Sequence, residues 1–253
     1  MGSLKNNMNF NNTSIDWYQV HEVISAADRI MLSTHENPDG DGLGAECGLY
    51  YHLKEIGKDV RIINYSPLPE YYTFLNSDQI FECYDQDFHE NWIKDVDLVI
   101  IFDVGDFVRT RTIVDAIKSH GLKTLNIDHH PHPDEHPFTH NVVDLSAAAT
   151  GCMVYDYLQI ARTDPIAKKS FEGIYTAVMT DTGCFRYSNT DKKCYEIAIQ
   201  CVESGVETHT IYQSVYENST KSRMQLMGEL LSNLHYELDG NLAWFIITQE
   251  MMD

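Results

Sequence analysis

The residues best placed to do chemistry are one histidine and two aspartates, His35, Asp39 and Asp41, which flank a proline and a glycine. They follow the short apolar run 29–33, which predicts a buried strand, and precede the pattern of 42–58, which predicts a helix. In open α/β sheets, ligands bind at the carboxyl ends of the strands. Imidazole and carboxylate groups suit Mn²⁺, Mg²⁺ or Zn²⁺. The segment therefore predicts part of a metal site, with a surface turn as the alternative because Asp and Gly are common turn formers.

Three further apolar, strand-like runs also end in carboxylates or histidines. They are 98–102 before Asp103, 124–127 before Asp128, His129 and His130, and 174–179 before Asp181. One acidic terminus is ordinary turn chemistry, but four in succession are not. Clustered carboxylates repel one another unless cations neutralise them. The four termini together predict a centre that binds two metal ions.

In their order and spacing these motifs resemble those of the DHH phosphoesterase family, over roughly residues 20–190. The segment 180–187 most resembles the bacterial branch that hydrolyses very short RNA (nanoRNA) and 3'-phosphoadenosine 5'-phosphate (pAp). The resemblance implies two Mn²⁺ ions, with Mg²⁺ or another divalent cation as alternatives. It divides the ligands into two sets that share one bridging carboxylate: His35, Asp39 and Asp103 for one ion, and Asp41, Asp103, His129 and Asp181 for the other.

The resemblance also implies roles for residues that do not bind metal. His130 would face the scissile phosphate as a hydrogen-bond or proton donor, and Asp128 would orient an imidazole. Arg109, Arg111 and Arg186 are candidates for phosphate contacts, because a guanidinium matches phosphate oxygens. A surface salt bridge is an equal alternative for each arginine.

The function that follows is a Mn²⁺-dependent phosphoesterase, which uses a metal-activated hydroxide on short RNA and pAp. Linear or cyclic dinucleotides are close alternative substrates, and inorganic pyrophosphate is a more distant one. A non-catalytic, metal-bound nucleotide-binding scaffold is the alternative of a different class. Because all six expected ligands and His130 are present, the sequence favours the enzyme.

Composition limits the partners. The formal net charge of −20 argues against long duplex nucleic acid, whose binding depends on Lys and Arg contacts, and favours short substrates. The sequence contains neither an 18-residue apolar run nor the apolar core of a signal peptide, so no membrane partner is expected. Six cysteines without a C-x-x-C pair indicate reduced thiols and a cytoplasmic location. A homodimer is left open.

The alternation of strand-like and helical patterns predicts an α/β fold with a doubly wound, mostly parallel sheet of about five strands and helices on both faces. Residues 16–205 would form the catalytic domain and 206–238 a helical connector. The resemblance implies that 239–253 begin a C-terminal DHH-associated domain whose remainder is absent. Smaller elements are predicted as a strand at 60–64, helices at 147–162, 191–204, 208–217 and 221–238, and a strand at 242–248.

Three more histidines, His132, His136 and His140, follow the cluster at 128–130. They raise the question of a zinc site, but the intervening prolines break the helical spacing that such ligands would need. The sequence therefore predicts a solvated loop.

Overall fold

The structure, a computed structural model, describes residues 15–132 and 136–252. The segment 1–14, where no signal peptide is expected, lies outside the described residues. The strands are β1 (Arg29–Ser33), β2 (Asp59–Asn64), β3 (Phe81–Cys83), β4 (Leu98–Phe102), β5 (Thr124–Asp128), β6 (His140–Val143), β7 (His235–Glu237) and β8 (Leu242–Trp244). The helices are α1 (Trp17–Ser25), α2 (Gly40–Glu55), α3 (Gln86–Ile93), α4 (Thr112–His120), α5 (Thr150–Ala161), α6 (Lys168–Asp181), α7 (Lys192–Glu203), α8 (Thr208–Tyr212), α9 (Lys221–Ser232) and α10 (Gln249–Met252).

The main sheet contains six parallel strands in the order β3-β2-β1-β4-β5-β6. The chain winds outward from β1 through β2 and β3, then returns to β4 on the other side of β1. The order therefore reverses between β1 and β4, the place where ligands bind in open α/β sheets. Register pairs Ser33 with Ile101, so the carboxyl ends of these two strands lie side by side.

Helices cover both faces of this sheet. On one face, Met31, Val99 and Ile101 are fully buried in an apolar cluster with residues of α3 and α4. On the other face α2 contacts β1, β2 and β4, and α5 and α6 pack beside it. The predicted doubly wound α/β fold with helices on both faces is confirmed.

The closest helix pair on the sheet is α2 with α6, and its spacing depends on glycines. A Cβ added to Gly44 would lie 2.3 Å from the carbonyl oxygen of Gly173, which no rotamer change can relieve. Glycine at this position therefore allows the two backbones to approach closely where the second turn of α2 meets the middle of α6.

One predicted strand is wrong. Residues 174–179 belong to helix α6, and Asp181 is the last residue of that helix, so it does not follow a strand. A short apolar run cannot distinguish a buried strand from a buried helix. The burial of Phe171, Ile174 and Val178 shows the helical spacing that decides the matter.

The sheet instead gains β3 and β6, which are three and four residues long at its two edges. Strands so short carry little periodic signal. Helix α9 ends at Ser232 where the sequence predicted helix to 238, and residues 235–237 form β7. Strand β8 covers only the first three residues of the strand predicted at 242–248.

The chain divides into two compact units, residues up to 211 and residues from 212 onward. The second unit contains a π-helical turn at Gln213–Glu217, α9, and an antiparallel hairpin of β7 and β8. Across the described residues, none of the helices combines the length and the apolar character needed to cross a bilayer.

Candidate metal centre

The centre of the site is the imidazole of His129, directly after β5. Its Nδ1 lies 3.1 Å from the carbonyl oxygen of Ala147, and a proton on Nδ1 donates to that oxygen. Nε2 is buried and has no hydrogen-bond partner in the described part of the chain. Carboxylate oxygens of Asp41, Asp103 and Asp181 nevertheless lie 3.5, 3.5 and 3.4 Å from it.

This arrangement fits a metal ion. In the tautomer fixed by Ala147, Nε2 of His129 carries a lone pair that faces three carboxylate oxygens, which is repulsive unless a metal ion or a proton lies between them. Ligand atoms about 2.0–2.2 Å from one ion lie about 2.8–3.6 Å from each other in octahedral or tetrahedral geometry. The separations around Nε2 agree with that spacing.

A second set of ligand atoms surrounds His35, which follows β1. Its Nδ1 lies 2.6 Å from the carbonyl oxygen of Glu36, so Nε2 is the nitrogen free to bind metal. Asp39 Oδ2 and Asp103 Oδ2 lie 3.6 and 3.8 Å from that Nε2. Asp103 thus presents Oδ1 to His129 and Oδ2 to His35, which is the geometry of a bridging carboxylate.

Asp103 occupies this bridging position because of its backbone. It follows β4 with φ of +57°, in the left-handed region that costs a non-glycine residue about 1 kcal/mol or more. Its amide donates to Ile127 O, and the Thr150 hydroxyl donates to its Oδ1 at 3.3 Å. Backbone strain of this kind is typical of functional sites, where surrounding contacts hold the residue in place.

The start of α2 positions two more candidate ligands. Asp39 caps this helix, and its Oδ1 accepts hydrogen bonds from the amides of Asp41 and Gly42. The carboxylate of Asp41 accepts from the amides of Thr150 and Gly151, at 2.6 and 2.8 Å. Those amides belong to the first turn of α5, where the positive end of the helix dipole also stabilises a carboxylate.

The electrostatics of this cluster indicate a deficit of positive charge. Burial, together with the charges of Asp103 and Asp181, holds the pKa of Asp41 well above its usual range. Burial and the charges of Asp103 and Asp39 raise the pKa of Asp181 to about 6. Burial alone would lower the pKa of His129, but the surrounding carboxylates raise it to about 9. In the metal-free protein, protons partly replace the cations that the carboxylates favour.

Asp128 lies beneath the site and belongs to none of the candidate ligand groups among the described residues. Its Oδ1 accepts from the backbone amide and from Nδ1 of His130, both at 2.9 Å. Its Oδ2 accepts from the amides of Val104 and Gly105, and from Nε2 of His132 at 2.9 Å. Burial alone would raise the pKa of Asp128, but these hydrogen bonds lower it far below 3.8.

His130 is oriented by this contact with Asp128. Its Nδ1 also lies 3.2 Å from Asp103 Oδ1, and the hydrogen bonds to Asp103 and Asp128 raise its pKa to about 10. The side chain is 43% exposed, which leaves the rest of the ring open to a ligand.

The predicted solvated loop is wrong for His132. Its side chain is buried, 5% exposed, and bonded to Asp128. His140 lies in β6, whereas His136 is exposed. The prolines do exclude a helical ligand pair, but sequence spacing gave no sign that His132 turns back to the carboxylate four residues earlier.

The three candidate arginines have different surroundings. Arg109 lies beside the site, with Nη1 on Val104 O at 3.0 Å and Nη2 3.1 Å from His35 Nδ1. Arg111 is exposed and forms an ion pair with Glu36, the alternative that the sequence left open. Arg186 is exposed and donates from Nε to the carbonyl oxygen of Gly183.

Sequence reasoning did not identify the supporting groups at the start of α5. Ala147 accepts from His129, and Thr150 and Gly151 donate to Asp41. The sequence signal for these groups was the run of small residues at 146–151. Small residues there let the start of α5 approach the start of α2 closely. A Cβ on Gly151 would lie 2.3 Å from Ala177 Cβ, so glycine is needed there.

Residues 29–180 match the N-terminal domain of the DHH family, and this segment contains every candidate ligand except Asp181. The chain belongs to the DHH family. The expected resemblance is confirmed.

Relatives of known name agree with this DHH assignment. The chain is 30% identical over 225 residues to the bifunctional oligoribonuclease and PAP phosphatase NrnA of Thermus thermophilus, a match that covers 88% of this chain and 65% of that one. It is 29% identical over 226 residues to the protein of the same name in Bacillus subtilis, with coverage of 88% and 68%. The chain therefore spans just under two thirds of the length of the Thermus protein and just over two thirds of the length of the Bacillus protein.

Among solved structures, the DHH chain resembles an exopolyphosphatase-related protein from Bacteroides fragilis, with a TM-score of 0.86 and 28% identity. The superposition covers 93% of this chain and 70% of that one.

Proposed function

We propose that this DHH-family chain is a Mn²⁺-dependent phosphoesterase that hydrolyses short oligoribonucleotides and pAp. The observation that carries the proposal is the buried Nε2 of His129, which has no hydrogen-bond partner among the described residues and faces oxygens of Asp41, Asp103 and Asp181. A structural histidine in such a position would donate to one of them. A metal ligand would not.

The arrangement of the six candidate ligands supports the two sets expected from the family. His35, Asp39 and Asp103 would hold one divalent ion, and Asp41, Asp103, His129 and Asp181 the other. Two such ions supply an activated water at neutral pH and positive charge for the phosphoryl oxygens. A metal-activated water of this kind needs no covalent nucleophile from the protein.

His130 would act on the substrate side of this centre, and Asp128 would hold it from beneath. The carboxylate of Asp128 holds Nδ1–H of His130, so Nε2 is the atom that meets the phosphate or the leaving oxygen. A proton held at Nε2 can be donated as the bond to the leaving group breaks, which is the role of a general acid. Asp128 itself stays ionised, because its five hydrogen-bond donors stabilise the charge.

Arg109 is the arginine best placed to bind a substrate phosphate. When Nε2 of His35 binds metal, the proton on Nδ1 donates to Glu36 O, and Nδ1 has no lone pair left for Arg109. Nη2 of Arg109 then needs another acceptor. A substrate phosphate can supply one, because two of its oxygens match two N–H groups of a guanidinium. Arg186 remains a second candidate, from the exposed segment after Asp181.

The substrate class rests on charge and on the relatives. The net charge of −20 leaves the chain with too few cations to follow a long polyanion, whereas two metal ions and one or two arginines can bind a nucleotide or a short oligomer. Relatives named as oligoribonuclease and PAP phosphatase support the same choice.

Domain organisation and location are parts of the same proposal. Residues 16–205 would be the catalytic domain, 206–238 a connector and 239–253 the beginning of a DHH-associated domain. All six cysteines are free thiols, and four of them are buried, which suits a reducing cytoplasm.

The test is a parallel hydrolysis assay with Mn²⁺ on pAp, a linear dinucleotide, a cyclic dinucleotide, a five-nucleotide RNA and pyrophosphate. We expect turnover of pAp and of the five-nucleotide RNA. It should fall by about 10²–10⁴ in His130→Ala and be kept in His209→Ala, a control that removes an exposed imidazole far along the chain. Preference for the dinucleotides would select the alternative phosphodiesterase. Two bound ions without turnover of any substrate would select the non-catalytic scaffold.

A further inference from the structure

Glu46 is a buried carboxyl group that no role assigned so far explains. It lies in α2, is 0% exposed, and its Oε2 accepts a hydrogen bond from Nδ2 of Asn64 at 2.8 Å. Its Oε1 is buried and without a partner in the described part of the chain. Burial raises the pKa of Glu46 to about 8. Burial of a carboxyl group costs free energy, and a buried oxygen without a hydrogen bond is rare in folded proteins, so Glu46 calls for a specific explanation.

The partner of Glu46 connects it to the strand that carries His35. Asn64 is the last residue of β2, and its Oδ1 accepts from the amide of Thr34 at 2.9 Å and from the Ser33 hydroxyl at 3.3 Å. Because Nδ2 is held by Glu46, the amide group cannot flip, and Oδ1 stays directed at Thr34.

Thr34 passes this restraint to the set of His35, Asp39 and Asp103. It directly precedes His35, and its hydroxyl donates to the carbonyl oxygen of Phe102 at 2.8 Å, the residue before Asp103. The same hydroxyl touches α2, since a Cβ on Gly42 would lie 2.2 Å from it. The ends of β1 and β4 and the start of α2, which carry four of the six ligands, therefore meet at one side chain.

We infer that Glu46 and Asn64 are positioning residues that fix the strand end bearing His35, and that they thereby set the affinity of the metal set His35, Asp39 and Asp103. The inference rests on the proposed two-metal function. Neither residue touches an ion or a substrate. Partners that orient metal ligands typically change metal affinity by about 10–100-fold when they are removed.

The proposed effect differs from loss of packing. Glu46→Gln keeps an oxygen for Asn64, so it should preserve the restraint, whereas Glu46→Met keeps the volume and removes the acceptor. Leu53→Ala is the matched control, because Leu53 is also 0% exposed in α2 but lies three turns away from the ligands. This control should destabilise the protein by about 2–5 kcal/mol.

The experiment is calorimetric titration of each metal-free protein with MnCl₂ alone, with the unfolding midpoint measured in parallel. We expect Glu46→Met to weaken one of the two Mn²⁺ sites at least tenfold, while Glu46→Gln and Leu53→Ala stay within threefold of the wild-type protein. Should Glu46→Met fail to fold, Asn64→Ala must give the same selective loss.

Two results would overturn the inference separately from the function. Two wild-type-like Mn²⁺ sites in Glu46→Met, or in Asn64→Ala if the first variant is unfolded, would show that these residues do not position the ligands. Equal weakening in Leu53→Ala would reduce the effect to general destabilisation. A wild-type protein that binds no Mn²⁺ would instead overturn the proposed function, and this inference with it.

Discussion

Replacement of Asp128 by Asn tests how the carboxylate beneath the site holds the imidazole above it. Asp128 is fully buried and accepts five hydrogen bonds, three of them from backbone amides. Asparagine has the same shape but carries an NH₂ group on one side. On the Oδ1 side the NH₂ group would face the backbone N–H of His130, and on the Oδ2 side it would face those of Val104 and Gly105. Backbone N–H groups cannot rotate away, so either orientation places two donors against each other.

The size of the effect follows from these contacts. One buried donor left without an acceptor costs about 1–3 kcal/mol, and the bonds that remain lose their charge-assisted strength. Together these terms amount to about 3–5 kcal/mol, the range found when one partner of a buried charged pair is removed. That is a large part of the roughly 5–15 kcal/mol that stabilises a typical domain. Turnover should fall as well, because His130 loses its fixed orientation.

The assay is urea unfolding of the wild-type and Asp128→Asn proteins, at neutral pH and at a series of lower pH values. The pKa of Asp128 is lowered in the folded protein. The ionised carboxylate therefore contributes to the free energy of unfolding above pH 3.8, and this contribution is lost as the pH falls below 3.8. The difference between the two proteins should therefore shrink in that acidic range. A difference below 1 kcal/mol at pH 7, or one that does not change with acid, would refute the reasoning.

Three further predictions concern the ligands, the acid and the packing of α2. Asp103→Asn should lose Mn²⁺ binding and hydrolysis together, as elemental analysis and the hydrolysis assay would show; normal turnover would contradict it. His130→Ala should keep its metal content while kcat falls by about 10²–10⁴, and loss of both ions would make it a ligand. Gly44→Ala should lower the free energy of unfolding by about 1–3 kcal/mol, since its Cβ would lie 2.3 Å from Gly173 O. The control Gly228→Ala, in open space on α9, should instead leave stability unchanged or slightly raised.

The ligand-bearing strand ends could be predicted because their signals are local. Asp103 follows a continuous apolar run, Asp128 and His129 come at the end of a shorter strand-like run, and parallel strands bring their carboxyl ends to one edge of the sheet. Asp181 also lies in the cluster with His129, although the sequence predicted a strand before it. The run at 174–179 has the composition of a strand, and only packing against α2 makes it helical.

The groups that hold the ligands in place could not be predicted, because their partners are distant in sequence. Thr150 lies 109 residues from the Asp41 carboxylate that its amide contacts, and Asn64 lies 30 residues from Thr34. Backbone amides carry no sequence signal of their own. The burial of Glu46 could not be predicted either, because an acidic residue in a predicted helix suggests an exposed face rather than the core.

The central claim is that two divalent ions share the carboxylate of Asp103, and anomalous diffraction from Mn²⁺-soaked crystals tests it most directly. We expect two peaks about 3.5–4 Å apart, the spacing of two-metal phosphoesterase sites, with one oxygen of Asp103 toward each. One peak should lie beside His35 and Asp39, and the other among the ligands around His129. A single ion, or two ions without Asp103 between them, would contradict the account.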